Sequence, residues 1–301
     1  MICHVSYKIG RIWQGTDYRA FIILEEEHMA MTIDFTGKSV LVTGGGRGLG
    51  KDMALLLAEC GAKVMIAGRG ISHLKKTVEE IRAIGAQGAY QGCDVSKSED
   101  VEVLVKDAVA YGGGKLDVVV HAAGVQSIDD LLLTSDEEIA RVMAVNVGGT
   151  ANIIKHALPV MKTQQSGNMV IISSVAARDG GPANQIYCAS KAAVTSLIQS
   201  ASKMAAPYGV RVNGILPGII YTDMWDDILV GRAHNGDPGD IRKVSEDEKE
   251  RLWKEALEVI PLGRAQLPRD ISWSTAFMAS EYAREITGQC LCVDGGMTSG
   301  R

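Results

Sequence analysis

The sequence predicts an α/β fold in which helices cover both faces of a parallel sheet, the doubly wound arrangement. Short apolar runs alternate with helix-like stretches along most of the chain, and the first apolar run leads through a glycine-rich turn into a helix. The expected strands are residues 38–43, 63–67, 89–92, 117–121, 168–173, 210–216 and 290–293. The expected helices are residues 48–60, 71–84, 98–111, 136–163, 187–207, 245–259 and 268–280.

The glycine-rich turn follows the first expected strand. The apolar run at 40–42 has the pattern of a strand buried on both faces. Gly44, Gly48 and Gly50 then lead into a helix that ends before Gly61. Glycines here let the backbone turn tightly and approach a pyrophosphate at the helix N-terminus, where free N–H groups favour anions. A strand before the turn and a helix and second strand after it predict a dinucleotide site.

A tyrosine and a lysine stand four residues apart in a helix-like run, Tyr187 and Lys191, with Ser174 thirteen residues before the tyrosine. Residues i and i+4 lie on one face of a helix, so a phenol and an ammonium can point into the same cleft. A positive charge near a phenol stabilises the phenolate, and a serine hydroxyl can hold the oxygen of a reacting carbonyl or alcohol. The spacing therefore predicts a device for proton transfer.

Together these motifs resemble the short-chain dehydrogenase/reductase family over roughly residues 34 to 298. Besides the glycine turn and the Ser174, Tyr187 and Lys191 set, the resemblance is carried by Asp94-Val95, Ala122-Ala123-Gly124, Asn146-Val147, Gly149, Arg211-Val212-Asn213, Pro217-Gly218, Thr222 and Val293-Asp294-Gly295-Gly296. The resemblance implies a Rossmann-like single domain. It also implies an NAD(P)(H)-dependent oxidoreductase that interconverts a ketone and a secondary alcohol, acting on CH–OH groups.

The resemblance implies four catalytic residues. Tyr187 is the expected acid/base, which gives a proton to the carbonyl oxygen in reduction and removes it in oxidation. Lys191 is expected to lower the pKa of Tyr187 and to bind the nicotinamide ribose. Ser174 is expected to hydrogen-bond the substrate oxygen. Asn146 is expected to hold a water that links Lys191 to solvent.

The same resemblance implies a set of cofactor contacts. The expected residues are Gly44, Arg47, Gly48, Leu49, Gly50, Arg69, Asp94, Val95, Gly124, Tyr187, Lys191, Pro217, Gly218, Ile220 and Thr222. One departure is the stretch His121-Ala122-Ala123-Gly124, where the family more often has two asparagines before Ala-Gly. Ala122 supplies no side-chain amide there, and His121 is interpreted as a strand-end packing residue rather than a catalytic one.

The cofactor preference rests on Arg69 and Arg47. NAD-preferring folds of this kind place an acid at the end of the second strand to bind the ribose 2′-hydroxyl, whereas this sequence has Gly68-Arg69. Arginines can pair with a 2′-phosphate, which favours NADP(H). An arginine can also stack on adenine, so NAD(H) stays open.

Two segments extend beyond the expected domain of residues 34–301. Residues 1–33 hold no apolar run of secretory length. They are interpreted either as an upstream in-frame extension, with Met29 or Met31 as the natural start, or as an ordered arm. Residues 223–261 resemble a lid over the substrate. The alternative is an ordinary surface helix opened by the capping box of Ser245 and Glu248.

Composition bounds the partners. The net charge of −5 gives no reason to expect nucleic acid, and no run reaches the length of a membrane span. The six cysteines form no CxxC pair and no zinc-like spacing, so no metal is expected. We expect a cytoplasmic homo-oligomer, a dimer or a tetramer, that acts on a small-molecule ketone or alcohol.

Substrate identity stays open at this stage. The apolar residues of the lid segment favour a hydroxysteroid, with a 3-oxoacyl thioester or a sugar or polyol as alternatives. A cofactor-binding regulator without activity would be expected to lack part of the Ser174, Tyr187 and Lys191 set, and all three residues are present.

Overall fold

The chain folds around a seven-stranded sheet in which all strands are parallel. The computed structural model describes residues 32–127, 131–180, 184–222, 225–226, 228–229 and 245–299. In chain order the strands are β1 (Ser39–Thr43), β2 (Lys63–Gly68), β3 (Gly88–Gly92), β4 (Val118–His121), β5 (Gly167–Ile172), β6 (Val210–Pro217) and β7 (Cys290–Val293). Their order across the sheet is β3-β2-β1-β4-β5-β6-β7, so the winding reverses between β1 and β4. Ligands of such folds bind at this reversal, beyond the carboxyl ends of the strands.

Helices cover both faces of the sheet, which confirms the predicted fold class. They are α1 (Gly48–Glu59), α2 (Ile71–Ala83), α3 (Ser98–Tyr111), α4 (Asp136–Val142), α5 (Gly149–Gln164), α6 (Gln185–Ala205), α7 (Glu246–Leu257) and α8 (Pro268–Ala279). The prediction of one helix over 136–163 was wrong in part. A π-helical segment, Met143–Gly148, joins α4 to α5 there.

The core lies on both sides of the strands. All five residues of β1 are buried, as the continuous apolar pattern predicts for a central parallel strand. One large cluster joins the sheet to α3, α5 and α6 through buried residues such as Leu104, Ile153 and Ile198. On the opposite face α1 packs against α8 and contacts β1 and β2. This packing holds the strand ends, and the loops that follow them, on a rigid frame.

The expected extension at 1–33 lies outside the described residues except for its last two positions, and much of the expected lid at 223–261 lies outside them as well.

The helix within the expected lid, α7, is described. The hydroxyl of Ser245 accepts the backbone N–H of Glu248 at 3.2 Å, so the predicted cap is present. Leu252 is the buried residue of α7. The indole N–H of Trp253 donates to Asp226 at 2.9 Å.

Within the part of the chain that the structure describes, no helix has the length and apolar character needed to cross a membrane. The same residues contain no group of three or more His, Cys, Asp or Glu side chains that could hold a metal ion.

Candidate active site

Tyr187 and Ser174 meet at the carboxyl end of β5. Ser174 follows that strand and caps a short 3₁₀ turn, where its hydroxyl accepts the N–H of Ala176 at 3.2 Å. Tyr187 lies in the first turn of α6, which begins after Asn184, a buried residue in the left-handed region with φ 65°. Burial raises the pKa of Tyr187 to about 12, although a hydrogen bond with Ser174 acts to lower it. The phenol therefore keeps its proton at neutral pH.

Lys191 lies one turn further along α6 and is buried. Its ammonium donates to the carbonyl oxygen of Ile172 at 3.0 Å, and its Nζ stands 5.6 Å from the ring centre of Tyr187. Burial lowers the pKa of Lys191 to about 8. Burial is the largest influence on the pKa of Tyr187 in this structure, and the expected lowering of that pKa by Lys191 stays a prediction.

Asn146 lies in the π-helical segment and is buried. Its side-chain oxygen accepts the N–H of Val125 at 2.9 Å, while its amide group donates to the Val125 carbonyl at 2.9 Å and to the Ser190 hydroxyl at 3.0 Å. These bonds tie the loop after β4 to α6. The side chain of Asn146 is thus held by protein groups beside Lys191, and its role in holding a water stays a prediction.

The glycine turn has the geometry of a cradle that side chains would fill. A Cβ on Gly44, which has φ +72°, would stand 2.9 Å from the backbone of Ala122 and Ala123. A Cβ on Gly50 would stand 2.4 Å from the carbonyl oxygen of Gly44. These contacts let α1 begin directly beneath the turn, so its free N–H groups face the crevice between β1 and β4. The turn therefore fits the pyrophosphate of a dinucleotide.

Other predicted cofactor residues line the same strand ends. Leu49 is the second residue of α1, and Gly48 has φ +53°. A Cβ on Gly124 would lie 3.3 Å from the Asn146 side-chain oxygen and 3.5 Å from Lys191 Nζ, which places this glycine beside the catalytic candidates. Pro217 is the last residue of β6, and Gly218 follows it directly.

The segment after β6 runs along the same edge of the sheet. Ile220 forms an isolated parallel bridge with Gln266. The hydroxyl of Thr222 donates to the Ile220 carbonyl at 3.4 Å. The segment is therefore held against the chain that precedes α8. Beside it, the ring centres of Tyr221 and Trp253 lie 4.3 Å apart, a contact between the segment and α7 that no motif in the sequence predicts.

Charged residues gather where the adenosine half of a dinucleotide would lie. Arg47 is the exposed residue before α1, and Arg69 is exposed directly after β2. Asp94 follows β3, and Val95 is buried against Gly149. Burial raises the pKa of Asp94, but hydrogen bonds from Ser96 and the charge of Arg69 together hold it below its usual value. Asp94 thus carries a negative charge at the rim of the crevice.

His121 is the residue whose contacts the sequence did not predict. It is buried at the end of β4, and its Nδ1 lies 2.7 Å from the hydroxyl oxygen of Thr43, at the end of β1. Burial, with a smaller effect from the charge of Lys191, lowers the pKa of His121 to about 3. The expectation of a packing residue omits this hydrogen bond, because nothing local in the sequence pairs positions so far apart.

Comparison with known proteins identifies the class. The family model described as short chain dehydrogenase matches residues 38–232, and the model described as Enoyl-(Acyl carrier protein) reductase matches residues 237–298. The chain belongs to the short-chain dehydrogenase/reductase family. It is an oxidoreductase that acts on CH–OH groups with a nicotinamide cofactor, NAD(P)(H), as predicted.

The chain matches individual relatives over nearly all of their length. The 3-oxoacyl-[acyl-carrier-protein] reductase of Staphylococcus aureus is 36% identical over 86% of this chain and 98% of the relative. An uncharacterized oxidoreductase of Thermotoga maritima is 36% identical over 89% of this chain and 100% of the relative. A solved short-chain type dehydrogenase/reductase from Mycobacterium ulcerans is 33% identical with a TM-score of 0.77, covering 88% of this chain and 90% of that one.

Proposed function

We propose that this enzyme is an NADP(H)-dependent ketone reductase whose substrate is a 3-oxoacyl thioester. The observation that carries the chemistry is the grouping of Ser174, Tyr187 and buried Lys191 at the carboxyl end of the sheet, in the same crevice as the glycine turn. The substrate class is supported by the 3-oxoacyl-[acyl-carrier-protein] reductase similar to this chain.

In this proposal the nicotinamide supplies the hydride, and the protein orients the substrate and supplies the proton. Ser174 donates a hydrogen bond to the ketone oxygen, and Tyr187, which holds its proton at neutral pH, transfers that proton to the same oxygen. Lys191 binds the ribose of the cofactor from behind Tyr187, and Asn146 orders the proton path. The glycine turn binds the pyrophosphate, with Asp94, Val95 and Ile220 along the remaining length of the cofactor.

Arg47 and Arg69 support the proposed preference for NADP(H) over NAD(H). Both are exposed at the rim beyond β1 and β2, and the position after β2 holds Gly68 and Arg69 in place of an acid that would bind a ribose 2′-hydroxyl. Arg69→Ala should weaken NADPH binding about tenfold or more with a small effect on NADH. The matched control is Arg284→Ala, whose side chain is 78% exposed and lies after α8. Equal loss for both cofactors would remove the case for a 2′-phosphate contact.

A hydroxysteroid is the second candidate substrate. The observation in its favour is the apolar border beside the 217–222 segment, where Tyr221 stacks on Trp253 and Trp225 packs near Ile219. A flat, rigid ketone suits such a border, because aromatic rings contribute large contact area with little loss of conformational entropy.

The decisive assay compares substrates and cofactors in parallel. Purified enzyme is given NADPH or NADH with a 3-oxoacyl thioester, a steroid ketone or a sugar ketone. Turnover confined to the thioester supports the proposal, and turnover confined to the steroid replaces it with the second candidate. Tyr187→Phe should lower kcat at least a thousandfold on the true substrate, whereas Tyr208→Phe, a change at a half-exposed tyrosine over Lys162, should not. Undiminished turnover in Tyr187→Phe would overturn the mechanism.

We also propose that the enzyme works as a cytoplasmic homo-oligomer, a dimer or a tetramer. Exposed apolar side chains on and near α8, such as Leu267, Trp273 and Tyr282, support a contact between copies. Light scattering on the purified protein measures the assembly, and a monomer at micromolar concentration would contradict this part of the proposal.

A further inference from the structure

A buried glutamine side chain lies between the two turns that follow β6 and β7. Gln266 stands shortly before α8 and is 7% exposed. A Cβ on Gly218, the residue directly after β6, would stand 2.9 Å from Gln266 Oε1. A Cβ on Gly295, in the turn after β7, would stand 3.2 Å from Gln266 Nε2. The amide of Gln266 therefore fills the space in front of both glycines.

The turn after β7 is held in place by its own aspartate. The carboxylate of Asp294 accepts the N–H groups of Gly296 and Thr298 at 2.9 Å each, and it accepts the Thr298 hydroxyl at 2.6 Å. Three such bonds fix this turn as a support. The length of the Gln266 side chain then determines how far from this support the chain at Gly218 lies.

The backbone of Gln266 binds the segment that follows β6. Its N–H donates to the Ile219 carbonyl oxygen at 2.9 Å, and its own carbonyl oxygen accepts the N–H of Tyr221 at 2.9 Å. Ile220 lies opposite Gln266 in the isolated parallel bridge. Ile220 and Thr222 are the residues of this segment that we expect to contact the nicotinamide end of the cofactor. A single residue thus binds the segment through its backbone and spaces it through its side chain.

The oxygen of the Gln266 amide does not hold the side chain in place. Among the residues that the structure describes, Oε1 has no hydrogen-bond partner. A buried acceptor in this state costs about 1–3 kcal/mol. The side chain therefore acts here through its length and volume rather than through that oxygen. Methionine, which is unbranched and of similar length, has the same two properties without the amide.

We propose that Gln266 is a positioning residue, a spacer between the turns after β6 and β7 that places Ile220 and Thr222 against the nicotinamide half of the cofactor. The inference rests on the proposed function, because it requires that a nicotinamide cofactor binds in the crevice. It assigns Gln266 no contact with cofactor or substrate. A shorter side chain would leave a void, and the surroundings of a void in a packed interior collapse in part. The chain at Gly218 would then move toward the fixed turn and take Ile220 and Thr222 with it.

The test compares binding of the whole cofactor with binding of a fragment that lacks the nicotinamide. Dissociation constants are measured by calorimetric titration without substrate, for NADPH with 2′-phospho-ADP-ribose and for NADH with ADP-ribose. Gln266→Ala should bind the preferred cofactor about five- to tenfold more weakly, as expected when about one hydrogen bond to the nicotinamide end is lost. It should bind the matching fragment like the parent enzyme. At saturating cofactor, kcat should fall about fivefold or more, because the nicotinamide is less well oriented.

Matched variants separate spacing from a general loss of structure. Gln266→Met keeps the length of the side chain and removes the unpaired oxygen, so it should restore cofactor affinity to within about twofold of the parent and raise Tm slightly. Gln87→Ala changes an exposed glutamine before β3, at the opposite end of the sheet, and should alter neither affinity. If Gln266→Ala does not fold, Gln266→Asn, which is shorter by one methylene group, takes its place in the same comparison.

The outcomes distinguish this inference from the proposed function. The spacer role is refuted if shortening Gln266 weakens cofactor and fragment equally or weakens neither. It is also refuted by a Gln266→Met variant that binds cofactor as weakly as Gln266→Ala does. All of these results leave the proposed function intact. If the parent enzyme binds neither NADPH nor NADH, the proposed function fails, and this inference fails with it.

Discussion

Replacing Lys191 by methionine should stabilise the protein at neutral pH while removing its turnover. Burial lowers the pKa of the Lys191 ammonium from 10.5 to about 8. Below about pH 8 the group is charged in both the folded and the unfolded chain, so the folded state bears the full cost of burying a charge. One pKa unit corresponds to about 1.4 kcal/mol, which makes this cost on the order of 3 kcal/mol.

Part of that gain is offset by the hydrogen bond that methionine cannot make. Lys191 donates to the carbonyl oxygen of Ile172, and a lost bond of this kind costs about 1 kcal/mol. The net gain is then about 2 kcal/mol, which raises Tm by about 4–8 °C in a domain of this size. Methionine has a similar length and a flexible thioether, so it can fill the space of the lysine stem.

The pH dependence separates this cause from better packing. As pH rises from about 8 toward 10.5, the folded lysine loses its proton before the unfolded one does, so the wild-type protein is relieved of the cost. The difference between Lys191→Met and wild type should therefore be largest near pH 7 and clearly smaller near pH 9.5. Urea unfolding at both pH values measures it. Lys203→Met, an exposed change on the same helix, is the control and should alter stability little. A Lys191→Met variant less stable than wild type near pH 7, or equally stabilised at both pH values, would refute the argument.

Other side chains and glycines outside the Lys191 environment are expected to affect stability, cofactor binding and pH dependence. Arg211→Met should lower the free energy of unfolding by about 2–3 kcal/mol, because its guanidinium donates to three carbonyl oxygens at and after the end of α8; a change below about 0.5 kcal/mol in urea unfolding would contradict this. Gly50→Ala should weaken NADPH binding at least tenfold in a fluorescence titration, because the added Cβ would lie 2.4 Å from the carbonyl oxygen of Gly44. Gly180→Ala is the control and should bind NADPH like the wild type, because the added Cβ would meet no described atom within 4 Å. The rate of alcohol oxidation should increase as pH rises from about 7 to 10, whereas the rate of ketone reduction should not. The reason is that the pKa of Tyr187 is raised to about 12, so the phenol keeps its proton at neutral pH and is available as a base only at higher pH. An oxidation rate that does not change with pH would count against Tyr187 as the base.

The fold could be predicted because its signals are local. A buried parallel strand is recognised in the sequence as a continuous apolar run. The turn from β1 into α1 is recognised by its glycines, which in the structure have a left-handed φ or leave no room for a Cβ beside neighbouring backbone atoms. The division of 136–163 into α4, a π-helical segment and α5 could not be predicted in this way. The segment contains Asn146, whose amide bonds to Val125 and Ser190, and such distant partners leave no trace in helical periodicity.

The proximity of some candidate site residues could be predicted from the sequence, whereas their pKa values could not. The spacing of Tyr187 and Lys191, together with the family resemblance, brought out residues that the structure holds side by side on α6. Their pKa values depend on how many neighbours remove water from them, which is a property of the whole packed body. The hydrogen bond between Thr43 and His121 could not be predicted for a related reason, since only the parallel register of β1 and β4 sets the two residues opposite each other.

Burial shifts the pKa values of both Tyr187 and Lys191. It leaves Tyr187 with its proton at neutral pH and brings the pKa of Lys191 to about 8, so a protonated phenol lies beside an amine whose pKa is close to physiological pH. Ketone reduction needs the protonated phenol, which burial favours, whereas alcohol oxidation needs the phenolate, which burial opposes. The cost in stability of keeping Lys191 out of water and the protonated state of Tyr187 at neutral pH therefore have one physical origin, which is the burial of both side chains.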